Sequence, residues 1–147
     1  MKPYNEMRLT VESRSSNESF ARAAVAAFVS QLDPTVGELN DIKTAVSEAV
    51  TNCIVHAYRD SLGKIYITVS IYENSLISVK IRDRGCGIPD VKRAMEPLFS
   101  TGGEDRAGLG FTVMESFADR VSVRSKVGSG TTVTLQKKLD RRVKHNG

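Results

Sequence analysis

A chain of 147 residues, 40% of them hydrophobic, has the length of one ordinary domain and enough apolar surface for a proper core. Its net charge of +4 is modest, and the basic tail from about Lys137 to Lys144 lacks the aromatic interleaving of a single-strand binding surface, so no direct DNA binding is expected. Two cysteines and two histidines are too few for a metal cluster, no apolar run approaches membrane-spanning length, and the start lacks the core of a signal peptide; the expectation is a soluble, reduced, cytoplasmic protein without a membrane partner.

Residues 8–13 alternate apolar and polar, the pattern of a short first strand. Ser15-Ser16-Asn17-Glu18 has the form of a capping box, in which a serine and a glutamate satisfy two orphan backbone donors reciprocally. A helix is predicted from there to about Leu32, with Phe20, Ala23, Ala24, Ala27, Phe28 and Leu32 facing inward and Arg22 on the outer side. Asp33-Pro34 ends it, because the residue before proline is pushed out of the helical region. Thr35-Val36-Gly37-Glu38 repeats the capping pattern and opens a second helix expected to bury Leu39, Ile42, Val46 and Val50.

Between residues 45 and 58 this second helix carries Glu48, Asn52 and His56, four apart. Side chains at that spacing stand above one another on one face, so a carboxylate, an amide and an imidazole form a polar stripe beside the apolar one. Such a stripe lines a pocket or is a solvated face, and alone it does not decide between the two.

Segments 65–72 and 77–82 alternate and are joined as a hairpin by Glu73-Asn74-Ser75. Asp83 shares the parity of Ile77, Val79 and Ile81, which points its carboxylate to the core side. An unpaired charge there is costly, so Asp83 needs a donor and is a ligand candidate. Gly85 and Gly87 follow, suited to a close approach or simply to a tight turn. From 88 to 107 the pattern weakens, and the stretch 97–106 suits a lid. Residues 109–118 read as a helix with Val113, Met114, Phe117 and Ala118 packing. Gly108 and Gly110 at its start suit an anion such as phosphate, although a Gly-x-Gly alone also makes turns. Segments 121–125 and 131–135 complete the strands. This order predicts an α+β two-layer sandwich in a single domain over 1–147, with a mixed, mostly antiparallel sheet and helices on one face.

Asn52 offers an amide oxygen suited to Mg²⁺ held together with phosphates and water. Glu48, one turn earlier, is placed to accept a proton from an attacking hydroxyl. His56 has no assigned role.

Taken together, Glu48-x-x-x-Asn52, Asp83-x-Gly85-x-Gly87, Gly108-x-Gly110 and Gly130-Thr131-Thr132 resemble the four successive boxes of the GHKL ATPase and kinase superfamily. Over nearly the whole chain, segments such as Asn17-Glu18-Ser19-Phe20-Ala21-Arg22, Leu32-Asp33-Pro34-Thr35 and Pro97-Leu98-Phe99 resemble the sporulation anti-sigma-F family of serine-protein kinases. The resemblance implies a Bergerat-type ATP-binding sandwich that takes Mg²⁺ with ATP or ADP, acts as a homodimer, holds a sporulation sigma factor inactive and phosphorylates a serine of an anti-anti-sigma partner. It further implies Glu48 as general base, Asn52 as Mg²⁺ ligand, and Asp83 as acceptor from the adenine amino group. Gly85, Gly87 and Thr131 would lie beside the base; Thr101, Arg106, Gly108 and Gly110 would hold phosphates under the lid; and Arg22 would contact both protein partners. This chain departs from the pattern in having Gly102-Gly103 where a lysine is expected after the lid threonine. Alternatives are a general-stress anti-sigma serine kinase, or an inhibitory module that binds nucleotide without transferring phosphate. A histidine-kinase catalytic domain is disfavoured, since the histidines are His56 on the nucleotide-facing helix and His145 in the tail.

Overall fold

The period-two segments become strands β1 (Asn5–Glu12), β2 (Lys64–Ile71), β3 (Leu76–Arg82), β4 (Arg120–Lys126) and β5 (Gly130–Lys138) in the computed structural model, which describes residues 2–96 and 110–140. They form a sheet of order β1-β2-β3-β5-β4 in which all four pairings are antiparallel. One face is apolar, with Ile65, Ile67, Val69, Val79, Ile81 and Val133 buried. The helices α1 (Ser16–Val29), α2 (Val36–Asn52) and α4 (Phe111–Phe117) cover it, joined at the margin by the short α3 (Val91–Ala94).

Central in this layer, α2 packs between α1 and α4. Its buried residues Ile42, Ala45, Val46, Ala49 and Val50 recur at three and four, the spacing of one helical stripe. The expected capping box at its start is formed: Thr35 Oγ1 accepts from the Glu38 N–H at 3.0 Å, and Glu38 Oε1 accepts from the Thr35 N–H at 2.9 Å. The other Glu38 oxygen accepts from the Asp140 N–H, tying the helix start to the end of β5.

Two expectations for α1 are corrected. Its inward face is Ala21, Val25, Ala26 and Val29, while Phe20 is 52% exposed and Ala23 and Ala27 face solvent. Valines at 25 and 29 bury more area than alanines at 23 and 27, and they decide which stripe turns inward. Ser15 has helical dihedrals and its side chain caps nothing. Glu18, its expected partner, is drawn instead to Arg22 and to Ser47 on α2. After Val29 a 3₁₀ turn, Ser30–Leu32, carries the chain to the expected break at Asp33.

Candidate nucleotide site

The C-terminal half of α2, the loop after β3 and α3 surround a cavity of about 690 Å³, within the range of small-molecule sites. Asp83, which continues the inward parity of β3, is 5% exposed and lies on the cavity wall with Asn52 and Thr131. Its carboxylate is held from several sides. Oδ1 accepts from the Gly85 N–H at 2.9 Å and the Thr131 N–H at 3.1 Å, and the Cys53 thiol donates to Oδ2 at 3.6 Å. These donors answer part of the cost of burying the charge and fix the direction of the carboxylate. Burial, and then the Asp83 charge, push the Cys53 thiol well above its usual range, so it stays a protonated donor.

Beyond Asn52 the helix widens into a π-helical turn, Cys53–Ala57, closed by the Tyr58 N–H on the Cys53 carbonyl. Turns of this type are common at functional sites. The Ala57 carbonyl leaves the helix and accepts from the Cys86 N–H at 3.0 Å. Gly85 lies directly against that carbonyl, and any Cβ there would overlap it. Tyr58 pins the same loop, its hydroxyl accepting from the Arg84 N–H at 2.7 Å and donating to the Lys64 carbonyl at 2.6 Å.

Glu48 sits one turn before Asn52 on α2 and is half-buried. Its Oε2 lies beneath Gly110, the N-cap of α4, where a Cβ would collide with it. Gly110 also has φ +65°, a left-handed conformation that favours glycine. Glu48 and the start of α4 are therefore matched in shape. His56 falls in the π turn and lines the cavity with Asn52, so two members of the polar stripe face a pocket, while Glu48 turns to the start of α4.

Residues 11–137 match the model of the histidine kinase-like ATPase domain family. The chain is 53% identical to an anti-sigma F factor of Geobacillus kaustophilus, aligned over 92% of this chain and 93% of the relative. It is 56% identical to that of Anoxybacillus flavithermus over 92% and 93%, and 54% identical to that of Caldanaerobacter subterraneus over 93% and 96%. The chain belongs to the anti-sigma F factor family. Its fold is shared with a structure of the RsbU and RsbW domains of Rv1364c from Mycobacterium tuberculosis, at TM-score 0.67 and 18% identity over 93% of this chain and 32% of that one. It is shared too with the histidine kinase domain of Erythrobacter litoralis EL346, at TM-score 0.58 and 19% identity over 83% and 61%.

For this anti-sigma F family member, the site residues read from the sequence divide into four groups. Asn52, Asp83, Gly87 and Thr131 line one cavity. Glu48 and Gly110 meet beside it. Gly85 is off the cavity wall and supports the loop from behind. Thr101, Arg106 and Gly108 lie outside the described residues, as do Gly102 and Gly103.

Arg22 is not on the outer side of α1. Its guanidinium pairs with Glu18 and donates to Ser47 Oγ at 3.2 Å, in the groove between α1 and α2, with 37% of its side chain still exposed.

The sequence reading missed Cys53, Arg93 and Phe111 on the cavity wall. Cys53 follows Asn52 directly, and its contact with Asp83 spans 30 residues, beyond the reach of local periodicity. Arg93 comes from α3, whose signal was Asp90: its Oδ1 accepts from the Arg93 N–H at 3.1 Å, an N-cap in a stretch without apolar periodicity.

Proposed function

We propose that this protein is a sporulation anti-sigma factor that binds its sigma factor and, as an ATP-dependent serine kinase, phosphorylates an anti-anti-sigma partner. The observation that carries the reading is the pairing of a buried, oriented carboxylate at Asp83 with a second carboxylate, Glu48, at the start of α4. The names of relatives more than half identical over nearly their whole length supply the sigma-factor side.

Asp83 accepts a hydrogen bond from the adenine amino group through Oδ2, since Oδ1 already takes two backbone donors. Gly87 and Thr131 border the base, with the Thr131 hydroxyl bonded to Ser125 Oγ at 2.7 Å. Glu48 removes the proton from the partner serine as its oxygen attacks the γ-phosphorus, and ADP leaves. Asn52, buried on the cavity wall, would be the protein's oxygen donor to a Mg²⁺ ion carried largely by nucleotide phosphates. An ion bound at Asn52 would neutralise charge that develops on the transferring phosphoryl group. Thr101, Arg106, Gly108 and Gly110 are assigned to the phosphates, and Arg22 to both protein partners. The working unit in this reading is a cytoplasmic homodimer of single-domain chains.

An intact-mass assay tests this reading: the protein, Mg-ATP and an anti-anti-sigma protein, with Glu48→Ala alongside. A single phosphate on a partner serine, present only with intact Glu48, supports the kinase and its base. No transfer despite ADP binding would instead make the chain an inhibitory module.

A further inference from the structure

The face of the sheet opposite the helices carries a charge pattern that the nucleotide site does not use. Parity along the strands turns Arg8, Lys80, Arg82, Arg120 and Arg124 outward, and all five are exposed. Between them lie neutral hydroxyls: Thr68 pairs with Arg8 and Lys80, and Thr132 joins Arg82 to Arg124 across three strands. The carboxylates of this face, Glu6 and Glu12, are both on the edge strand β1 and are engaged by Arg8 and Arg14. Lys80, Arg82, Arg120 and Arg124 have no ion pair among the described residues. Lys137 on β5 does not join this face, since it turns inward to Asp41 and the Phe117 carbonyl.

We propose that this sheet face is a docking surface for an acidic segment of a partner protein. Its shape and chemistry select that occupant. Arg8, Tyr66, Lys80 and Arg82 border a groove of about 230 Å³, below the roughly 300 Å³ at which small-molecule cavities begin, so it takes inserted side chains rather than a nucleotide-sized ligand. Single-stranded nucleic acid needs aromatic faces on which bases stack. Here the Tyr66 ring is already covered by two guanidinium groups, Arg84 at 5.0 Å and Arg82 at 5.9 Å from its centroid. A second copy of the same face would set like charges against each other. Arginines spaced along a lattice of threonines suit carboxylates, which they bind in bidentate fashion. Because the helices cover the other face, an acidic partner docks here without passing the nucleotide cavity.

The test is fluorescence anisotropy of the full chain with a labelled oligoglutamate at about 0.1 M salt, where charges are screened over about 10 Å, using oligothymidylate of equal charge as competitor. Lys80→Glu with Arg82→Glu, and separately Arg120→Glu with Arg124→Glu, are each expected to weaken oligoglutamate binding by about tenfold. A control pair on the helix layer, Lys43→Glu with Lys92→Glu, is expected to change it by less than about twofold, because these residues lie across the sheet from the face and screening over about 10 Å confines the attraction to nearby charges. Two independent face pairs guard against one that misfolds, and thermal melts report folding. Weakening by the helix-layer pair as large as by the face pairs would overturn the proposal in favour of diffuse attraction. Tighter binding of oligothymidylate would overturn it in favour of nucleic acid, and absence of oligoglutamate binding would overturn it outright.

Discussion

Asp83 and Thr131 bind each other twice: the Thr131 N–H donates to Asp83 Oδ1 at 3.1 Å, and the Asp83 N–H donates to the Thr131 carbonyl at 2.9 Å. The end of β3 and the start of β5 thus hold the carboxylate rigidly at the cavity wall. Asp83→Asn retains the size but removes the charge and one acceptor. Loss of one charge-assisted hydrogen bond predicts ADP affinity weaker by about 10- to 100-fold, read by calorimetry. Unchanged affinity would remove Asp83 from adenine recognition.

Gly110→Ala places a methyl group where the Glu48 carboxylate lies and strains a left-handed backbone. Displacement of Glu48, the proposed base, by about 1 Å predicts phosphotransfer slower by about 100-fold. ADP affinity, shared between the adenine contact at Asp83 and the phosphates near Gly110, is expected to fall by less, about tenfold at most. Single-turnover transfer beside calorimetry separates the two, and equal losses in both would count against the role given to Glu48.

Arg22→Glu brings a second carboxylate beside Glu18 and breaks the link to Ser47. The pair is partly exposed, so the stability cost should be small, about 3 °C in Tm. Sigma-factor binding is expected to fall by about tenfold or more if the guanidinium meets the partner directly. Normal binding in a pull-down would leave Arg22 a purely internal strut between α1 and α2.

The two cysteines differ in reach: Cys86 is exposed and Cys53 is buried. Iodoacetamide should add one group to the native protein and a second only in denaturant, counted by intact mass. Because the folded Cys53 value lies above the unfolded one, the fold favours its protonated form. That contribution is complete below the usual thiol value of 9.0 and is lost as pH rises through the raised value, so stability should decline above about pH 9 in urea melts. A Cys53→Ala variant should lose the part of the decline that begins near pH 9 and keep the later part from Tyr58, whose hydroxyl pKa is also raised by burial.

What was legible in the sequence follows the range of each interaction. Strand parity put Asp83 on the inner face, and the capping box at Thr35 formed as read, because both depend on neighbours a few residues away. The four-residue spacing of Glu48 and Asn52 survived for the same reason. The box at Ser15 failed because Glu18 found Arg22 and, 29 residues along, Ser47. The inward face of α1 was misread because alanine satisfies an apolar pattern without the bulk that decides burial. The π turn and the Cys53 contact belong to tertiary packing, and no local periodicity announces them.

The departure of residues 53–57 from regular winding also bears on how the protein comes into being. The Ala57 carbonyl latches the loop at Cys86, and Asp83 reaches Thr131 across 48 residues. Contacts so far apart along the chain form only after the intervening loops have closed, an entropic cost met late. A nascent chain should therefore acquire its helices and the β2-β3 hairpin before it can grip a nucleotide, and ligand competence would report completed assembly.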